Sequence, residues 1–340
     1  MKKRLFAFFS AFVLLSMFAS CGTVPGDTVT TDENGYREWV ADTKFEKGVS
    51  VSGLHSSQPF LPWYFGGQMT PVWQLGQYCD LSTTRSGYDA TVNDLSLFPD
   101  GTDGTHSIIF TDADGYRTLT NLSGSKKLAI DGENETVVLT IDTTKEYIDP
   151  ATGERLPRRE GEDWVHMILQ QSLDIPIAEC EEVIMACNFK VQQCDVYDTS
   201  IGAAQFQWIL RIKDYTLQNQ PGGSMWFLVS VYDNRYEIYP GLAVADTGKA
   251  DATQDFMYAP SGTALFGEAN ANIRVGRPYE LTLNLKTHLR KAFDEAYEKG
   301  YLNPNAKWEN MRIVGFNIGW EVSNVAACSV KIAHMSIKTK

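Results

Sequence analysis

The feature that most constrains this chain is a set of short stretches in which apolar and polar residues alternate. In residues 205–212, Phe206, Trp208, Leu210 and Ile212 share one parity, while Gln205, Gln207 and Arg211 share the other. Residues 313–322 repeat the pattern, with Val314, Phe316, Ile318, Trp320 and Val322 set against Asn317 and Glu321. Tyr279, Leu281, Leu283 and Leu285 form a third set, and Val165, Met167 and Leu169 a fourth. Successive side chains of a strand point to opposite faces, so each stretch predicts a strand with one face on a core. Residues 225–232 are almost continuously apolar and predict a strand buried on both faces. Residues 137–141 and 330–337 read as further strands, separated from the others by Asp-Gly and Pro-Gly turn signals. Only residues 286–299 follow a helical spacing, through Leu289, Phe293 and Ala296, with Gly300 as a natural C-cap. One helix among many strands, with no internal repeat, predicts an all-β fold. The expectation is a single antiparallel β-sandwich of jelly-roll type over residues 49–340, with one amphipathic helix.

The alternation also sorts the chemistry. If the apolar parity faces the core, the other parity lines the opposite face of the same sheet. That face then carries Gln205, Gln207 and Arg211 from one strand and Asn317 and Glu321 from another. Trp164, His166 and Gln170 come from a third, and Asp233, Asn234 and Arg235 follow the apolar strand. Tryptophan, planar amides, an arginine fork and carboxylates on a concave sheet suit sugar recognition: rings stack on C–H groups, and amides bond paired hydroxyls. On this reading Trp164 is an exposed stacking platform, while Trp208 and Trp320 are buried. The ligand-binding candidates are Trp164, His166, Gln170, Gln205, Gln207, Arg211, Asp233, Arg235, Asn317 and Glu321. If the protein is an enzyme, Glu321 and Asp233 are the candidate acid and base, and His166 is a further base. Asp233 beside Arg235 reads equally well as an ion pair fixing a turn.

Eight Trp, fifteen Tyr and seventeen Phe supply large side chains both for a β-rich core and for sugar stacking. The formal charge of -12 argues against nucleic acid or an anionic membrane surface as partner. No GxSxG, HExxH, P-loop or dinucleotide fingerprint occurs, and no organic cofactor is expected. Asp112-Ala113-Asp114-Gly115 starts like a calcium loop but lacks a Glu at the twelfth position, and the Asp100-Gly101-Thr102-Asp103-Gly104 run is equally unspecific. A structural calcium is the one metal these runs suggest. Cys180, Cys187 and Cys194 recur at seven-residue spacing, which on a regular strand puts neighbours on opposite faces and argues against a shared metal site. Besides Cys21, an odd number of cysteines remains (Cys79, Cys180, Cys187, Cys194 and Cys328), so their pairing is left open.

The start of the chain gives an address. Lys2, Lys3 and Arg4 precede an apolar run over 5–18 broken only by Ser10 and Ser16, and Phe18-Ala19-Ser20-Cys21 follows. This pattern predicts a signal peptide over 1–20. The small residues before Cys21 resemble the lipobox of bacterial lipoproteins. That resemblance implies a lipidated Cys21 and anchorage at the bacterial cell envelope, whichever membrane receives it. Residues 21–48 are polar and Gly/Pro-broken and are expected to form a flexible tether, with docking beginning near Trp39 and Val40.

Three runs carry a wider resemblance: Trp164-Val-His-Met-Ile-Leu-Gln-Gln171, Trp226-Phe-Leu-Val-Ser-Val-Tyr-Asp-Asn-Arg235 and Gly315-Phe-Asn-Ile-Gly-Trp-Glu321. Over roughly residues 160–340 the chain resembles exported bacterial jelly-roll lipoproteins. The resemblance implies a galactose-binding-like or lectin-like sandwich. The expected function is carbohydrate binding at the envelope without catalysis. The alternatives are a polysaccharide-degrading hydrolase or lyase on the same scaffold, or a structural envelope protein.

Overall fold

The computed structural model describes residues 31–54, 60–63, 69–79, 81, 88–97, 108–149, 152–157, 159, 162–198, 202–217, 220–247 and 253–340. The segment expected to be a signal peptide, Cys21 and the Asp100–Gly104 run lie outside them. The chain opens with β1 (Arg37–Glu38), β2 (Val49–Val51), β3 (Leu61–Trp63), β4 (Trp73–Gly76) and the short helix α1 (Ala90–Asn93). A meander follows: β5 (Ile108–Thr111), β6 (Arg117–Thr120), β7 (Lys126–Asp131) and β8 (Thr136–Asp142). Then come β9 (Val165–Pro176), β10 (Val183–Asp198), β11 (Ala204–Asp214), β12 (Ser224–Asp233), β13 (Leu242–Ala245) and β14 (Phe256–Ala259). The short helix α2 (Gly262–Phe266), β15 (Pro278–Asn284), α3 (Lys286–Glu298), β16 (Met311–Val322) and β17 (Val325–Thr339) complete it.

These strands form a β-sandwich of the jelly-roll type. One sheet runs β15-β10-β17-β8-β7-β6-β5, with β1 added on β17. The larger runs β13-β14-β12-β11-β16-β9-β4-β2-β3. Pairing is antiparallel except between β12 and β14 and between β2 and β4. Thus the long strands that the sequence singles out, the alternating β9, β11 and β16 and the doubly apolar β12, sit side by side in the larger sheet.

The core between the sheets takes the expected parity. Phe206, Trp208, Leu210 and Ile212 of β11, Val165, Met167 and Leu169 of β9, and Ile318, Trp320 and Val322 of β16 are all buried in one cluster. Trp320 packs on Phe206 and Tyr232, with ring centroids 5.8 and 6.2 Å away. Val314 departs from expectation. A register shift between Ile313 and Gly315 reverses the alternation, so Ile313 and Met311 are buried instead and Val314 is half-exposed. Helix α3 lies where the spacing predicts. It buries Leu289, Ala292, Phe293 and Ala296, and Phe293 meets Trp308 edge-on at 5.7 Å. Gly300, at φ +73°, ends it in the left-handed conformation that suits glycine.

The tether expected through residue 48 gives way to packed structure earlier. Arg37 and Glu38 pair with Thr339 and Lys338 of β17, and Phe45 is fully buried against Trp73, with ring centroids 4.9 Å apart. The aromatic and apolar side chains of 39–49 account for this, since they find space beside β4 and β17 that polar neighbours do not prevent them from filling.

One charged pair is sealed inside. Lys126 and Glu146 are both fully buried and meet at 2.5 Å. Glu146 also accepts from the hydroxyls of Ser125 and Tyr88, each at 2.6 Å, and Lys126 donates to the Asn93 carbonyl at 3.1 Å. Both carboxylate oxygens thus accept hydrogen bonds, and that is what makes such a pair tolerable away from water.

Candidate functional site

The face of the larger sheet opposite the core carries most of the residues that the alternation singles out. Strand register sets them in rungs. In the first, His166 of β9 lies opposite Glu321 of β16, Glu321 opposite Gln205 of β11, and Gln205 opposite Asp233 of β12. The second joins Ile168 of β9, Gly319 of β16, Gln207 of β11 and Ser230 of β12, and the third joins Gln74 of β4, Gln170 of β9, Asn317 of β16 and Ile209 of β11. The fourth joins Gly315, Arg211 and Trp226. From Glu321 to Gly315 the face extends about 20 Å along the strands.

Hydrogen bonds lock the first rung. Gln205 Nε2 donates to Asp233 Oδ2 at 2.8 Å, and Gln207 Nε2 donates to Glu321 Oε2 at 2.9 Å. Arg235 clamps Asp233 with its Nε at 2.9 Å and its Nη2 at 2.6 Å, and its backbone N–H adds a third bond at 3.0 Å. Asp233 is therefore the partner of an ion pair at the β12 turn. Burial works against the Arg235 charge, but the Asp233 pairing wins and raises its pKa. His166 Nδ1 lies 2.8 Å from the Tyr78 carbonyl oxygen. The ring therefore donates from Nδ1, and its neutral form presents Nε2 as an acceptor.

The middle of the face is rich in amides. Gln170 Nε2 donates to Gln74 Oε1 at 3.0 Å. Buried polar atoms of the face with no hydrogen-bond partner among the described residues include Gln170 Oε1, Gln205 Oε1, Asn317 Oδ1 and Trp226 Nε1. At the far end Arg211 lies over the Trp226 ring, 5.6 Å from its centroid, and burial lowers its pKa against the pull of Asp255. Gln170, Arg211, Trp226 and Asn317 border a cleft with room for roughly one water molecule.

Glycine shapes the trough. Gly315 and Gly319 alternate with Asn317 and Glu321 on the outer face of β16. A Cβ at Gly319 would stand 2.1 Å from the Met167 carbonyl oxygen, so the close approach of β16 to β9 requires glycine there.

The face differs from the sequence expectation in its exposure. His166, Gln170, Gln205, Gln207, Asp233, Asn317 and Glu321 are all buried. Tyr78, Ile168, Ile209, Trp226, Leu228, Tyr239 and Met257 form a second apolar cluster on this side, bordered by half-buried Phe60, Tyr236 and Leu242. Burial pushes the Tyr78 phenol well up and the Tyr239 phenol up to about 12. Trp164 is not an exposed platform: it is 3% exposed and stands one residue ahead of β9. Trp208 and Trp320 are fully buried, as expected. The convergence expected of Trp164, Gln207, Arg211 and Glu321 holds for Gln207 and Glu321, which touch. Arg211 lies four residues along β11 from Gln207, about 13 Å away.

The sequence reading missed Gln74, Tyr78, Ser230 and Tyr239. Trp73-Gln-Leu-Gly76 alternates in the same way as the longer strands and could have yielded Gln74. Tyr239 follows a turn and carries no periodic signal. Of the calcium candidates, Asp112 uses its side chain locally, accepting from the backbone N–H of Asp114 and Tyr116 at 3.1 and 2.9 Å. Among the described residues no group of three or more His, Cys, Asp or Glu is arranged to hold a metal ion. A second depression, of about 280 Å³, lies at the β15 edge of the other sheet, where Phe189 stacks on Tyr279 at 5.3 Å.

No family model matches the sequence, and no curated protein matches it. Solved structures similar in chain course include an endoglucanase from Rhodothermus marinus, at 13% identity and a TM-score of 0.35, covering 69% of this chain and 96% of that one. A family 12 xyloglucanase from Bacillus licheniformis matches at 7% identity and a TM-score of 0.39, covering 69% and 97%. A family 11 xylanase from Neocallimastix patriciarum matches at 8% identity and a TM-score of 0.36, covering 69% and 95%.

Proposed function

We propose that this protein binds a carbohydrate on the outer face of its larger sheet and does not cleave it. The observation that carries the reading is the set of partnerless, buried polar atoms on that face, Gln170 Oε1, Gln205 Oε1, Asn317 Oδ1 and Trp226 Nε1 among them. Buried polar groups are nearly always paired, and leaving one unpaired costs about 1–3 kcal/mol. A protein that keeps several on one face reserves them for something that arrives later. Flat amides and an indole N–H beside aromatic rings match a ligand with many hydroxyls and apolar C–H faces. Entry requires movement of the residues that close the face, and half-buried Phe60, Tyr236 and Leu242 border it.

Hydrolysis is the second reading, favoured by the presence of Glu321 and Asp233 on one rung. Their strands are two spacings apart, about 9.6 Å. Against it, both Asp233 oxygens already accept from Arg235 and Gln205, which leaves neither well placed to deliver a proton. A glycan array separates the two: retention without new reducing ends or unsaturated products supports binding. Turnover that Glu321→Gln abolishes supports the enzyme. No retention of any glycan refutes both.

The same proposal places the protein at the bacterial cell envelope, held by lipid on Cys21. The basic start, the apolar run and the small residues before Cys21 support this. Cys21→Ser should leave the protein in the aqueous phase of a detergent partition. Equal detergent partitioning of parent and variant would overturn the anchor.

A further inference from the structure

Two of the described cysteines, Cys194 and Cys328, are free thiols that face each other. Cys194 of β10 and Cys328 of β17 are direct register partners across an antiparallel pair. Their sulfurs are 3.7 Å apart, with the Cys328 thiol donating to Cys194. Regular alternation would have aimed Cys187 and Cys194 to opposite sides. A bulge between Val191 and Gln193 adds one residue to β10 and reverses the parity, so Cys194 packs on the core beside Cys328. Cross-strand partners have Cα atoms about 4.5–5.5 Å apart, inside the range a disulfide spans. Rotation about the two Cα–Cβ bonds is the movement needed.

We propose that Cys194 and Cys328 form a reversible cross-strand disulfide, closed by exchange with a disulfide-bearing oxidant. The two sulfurs have unequal access, which assigns their roles. Cys194 is half-buried and Cys328 fully buried, so Cys194 meets the oxidant first. Its thiolate attacks one sulfur of the oxidant's disulfide and expels the other as a thiolate. The Cys328 thiol loses its proton and attacks the Cys194 sulfur, expelling the second oxidant thiolate. One S–S bond forms and one breaks; the protein loses two electrons and two protons, and the oxidant leaves as two thiols.

The surroundings agree. The hydrogen bond from Cys328 outweighs burial and holds the Cys194 thiol below its ordinary range, and Tyr232 also bonds to it. The same hydrogen bond, together with burial, pushes Cys328 well up. Cys187 is buried on the same strand, and burial takes its thiol up to about 12. The pair sits at the end of the sandwich where Tyr232 adjoins Asp233, directly behind the first rung. Closure joins residues 134 positions apart and braces that end of the sandwich. This inference does not depend on the carbohydrate reading.

The test uses the reduced full chain, incubated with oxidised glutathione, quenched with acid, alkylated and digested. The expected products are a single Cys194–Cys328 cross-linked peptide, an intact mass lower by two hydrogens, and a raised thermal midpoint that reduction reverses. Cys328→Ser should trap glutathione on Cys194, raising that adduct at least tenfold over the parent. If the variant does not fold, the parent's peptide map still decides. Both thiols remaining alkylatable, a different pair forming, or glutathione persisting on Cys194 in the parent would each overturn the proposal.

Discussion

Asn317→Leu sets stability against binding, and the structure fixes the sign of each. Asn317 is buried at the centre of the outer face, opposite Gln170 and Ile209, and its Oδ1 has no partner among the described residues. Removing a buried, unpaired acceptor recovers about 1–3 kcal/mol. Leucine keeps the branched outline of asparagine and adds apolar volume beside Ile209, Trp226 and Phe316, in a cleft with room for roughly one water molecule. Some of the gain is spent on crowding, so the net expectation is stabilisation by about 1–2 kcal/mol. At roughly 2–4 °C per kcal/mol the thermal midpoint should rise by a few degrees. Binding should move the other way, because the ligand loses a bonding group and meets two methyls instead. A loss of at least tenfold, about 1.4 kcal/mol, is expected in titration calorimetry with the tightest glycan from the array. A variant that melts lower than the parent and binds equally well would show that the amide is structural, and the reasoning from unpaired polar atoms would fail.

Other expectations follow from the packing. Trp320→Ala should cost about 3–5 kcal/mol in urea unfolding, since the ring is fully buried between Phe206 and Tyr232; a loss under about 1 kcal/mol would contradict the core assignment. Lys126→Met should cost about 3–5 kcal/mol by leaving Glu146 buried and unpaired, and adding Glu146→Gln should restore most of it; equal instability of single and double variants would refute the pair's role. Asp255 tests pH dependence. Burial raises its carboxyl pKa more than Ser224 and Arg211 lower it. The native state therefore holds this proton at a higher pH than the unfolded chain does. The stability this gives is full below the ordinary carboxylate value of about 3.9 and is lost as pH rises through the raised native value. Asp255→Asn should flatten the decline in urea midpoint above about pH 4 and unfold later than the parent at neutral pH; an unchanged pH profile would contradict this.

What the sequence made legible was everything that depends on period. The alternation of β9, β11 and β16, the doubly apolar β12 and the spacing of α3 each report a local geometry that the backbone must obey. Their consequence, that Gln205, Gln207, Asn317 and Glu321 share one face, needed only parity and the assumption that these strands join one sheet. Two kinds of information were not local. Bulges at Ile313–Gly315 and Val191–Gln193 reverse parity midway along a strand, so Val314 left the core and Cys194 reached Cys328. Gly315 is a signal at the first, since an isolated glycine in a strand pattern suggests a bulge, and no residue type marks the second. The covering of the outer face was equally hidden. It depends on Tyr78, Phe60 and Tyr239, which come from segments remote in sequence, and Tyr78 lies beside His166, which is buried although its surroundings read as a solvent-facing sheet. The docking of Phe45 was overlooked for a different reason: a polar stretch with few apolar residues looks like a tether until those few find a partner such as Trp73.

The most direct test is an experimental structure of the protein with the tightest-binding oligosaccharide from the array. The proposal predicts sugar density along the outer face of the larger sheet. Hydroxyls should lie within hydrogen-bond distance of Asn317 Oδ1, Gln170 Oε1 and Gln205 Oε1, and a ring should lie against Trp226. Density at the depression beside Phe189 and Tyr279 instead, with the outer face closed and its amides still unpaired, would contradict it.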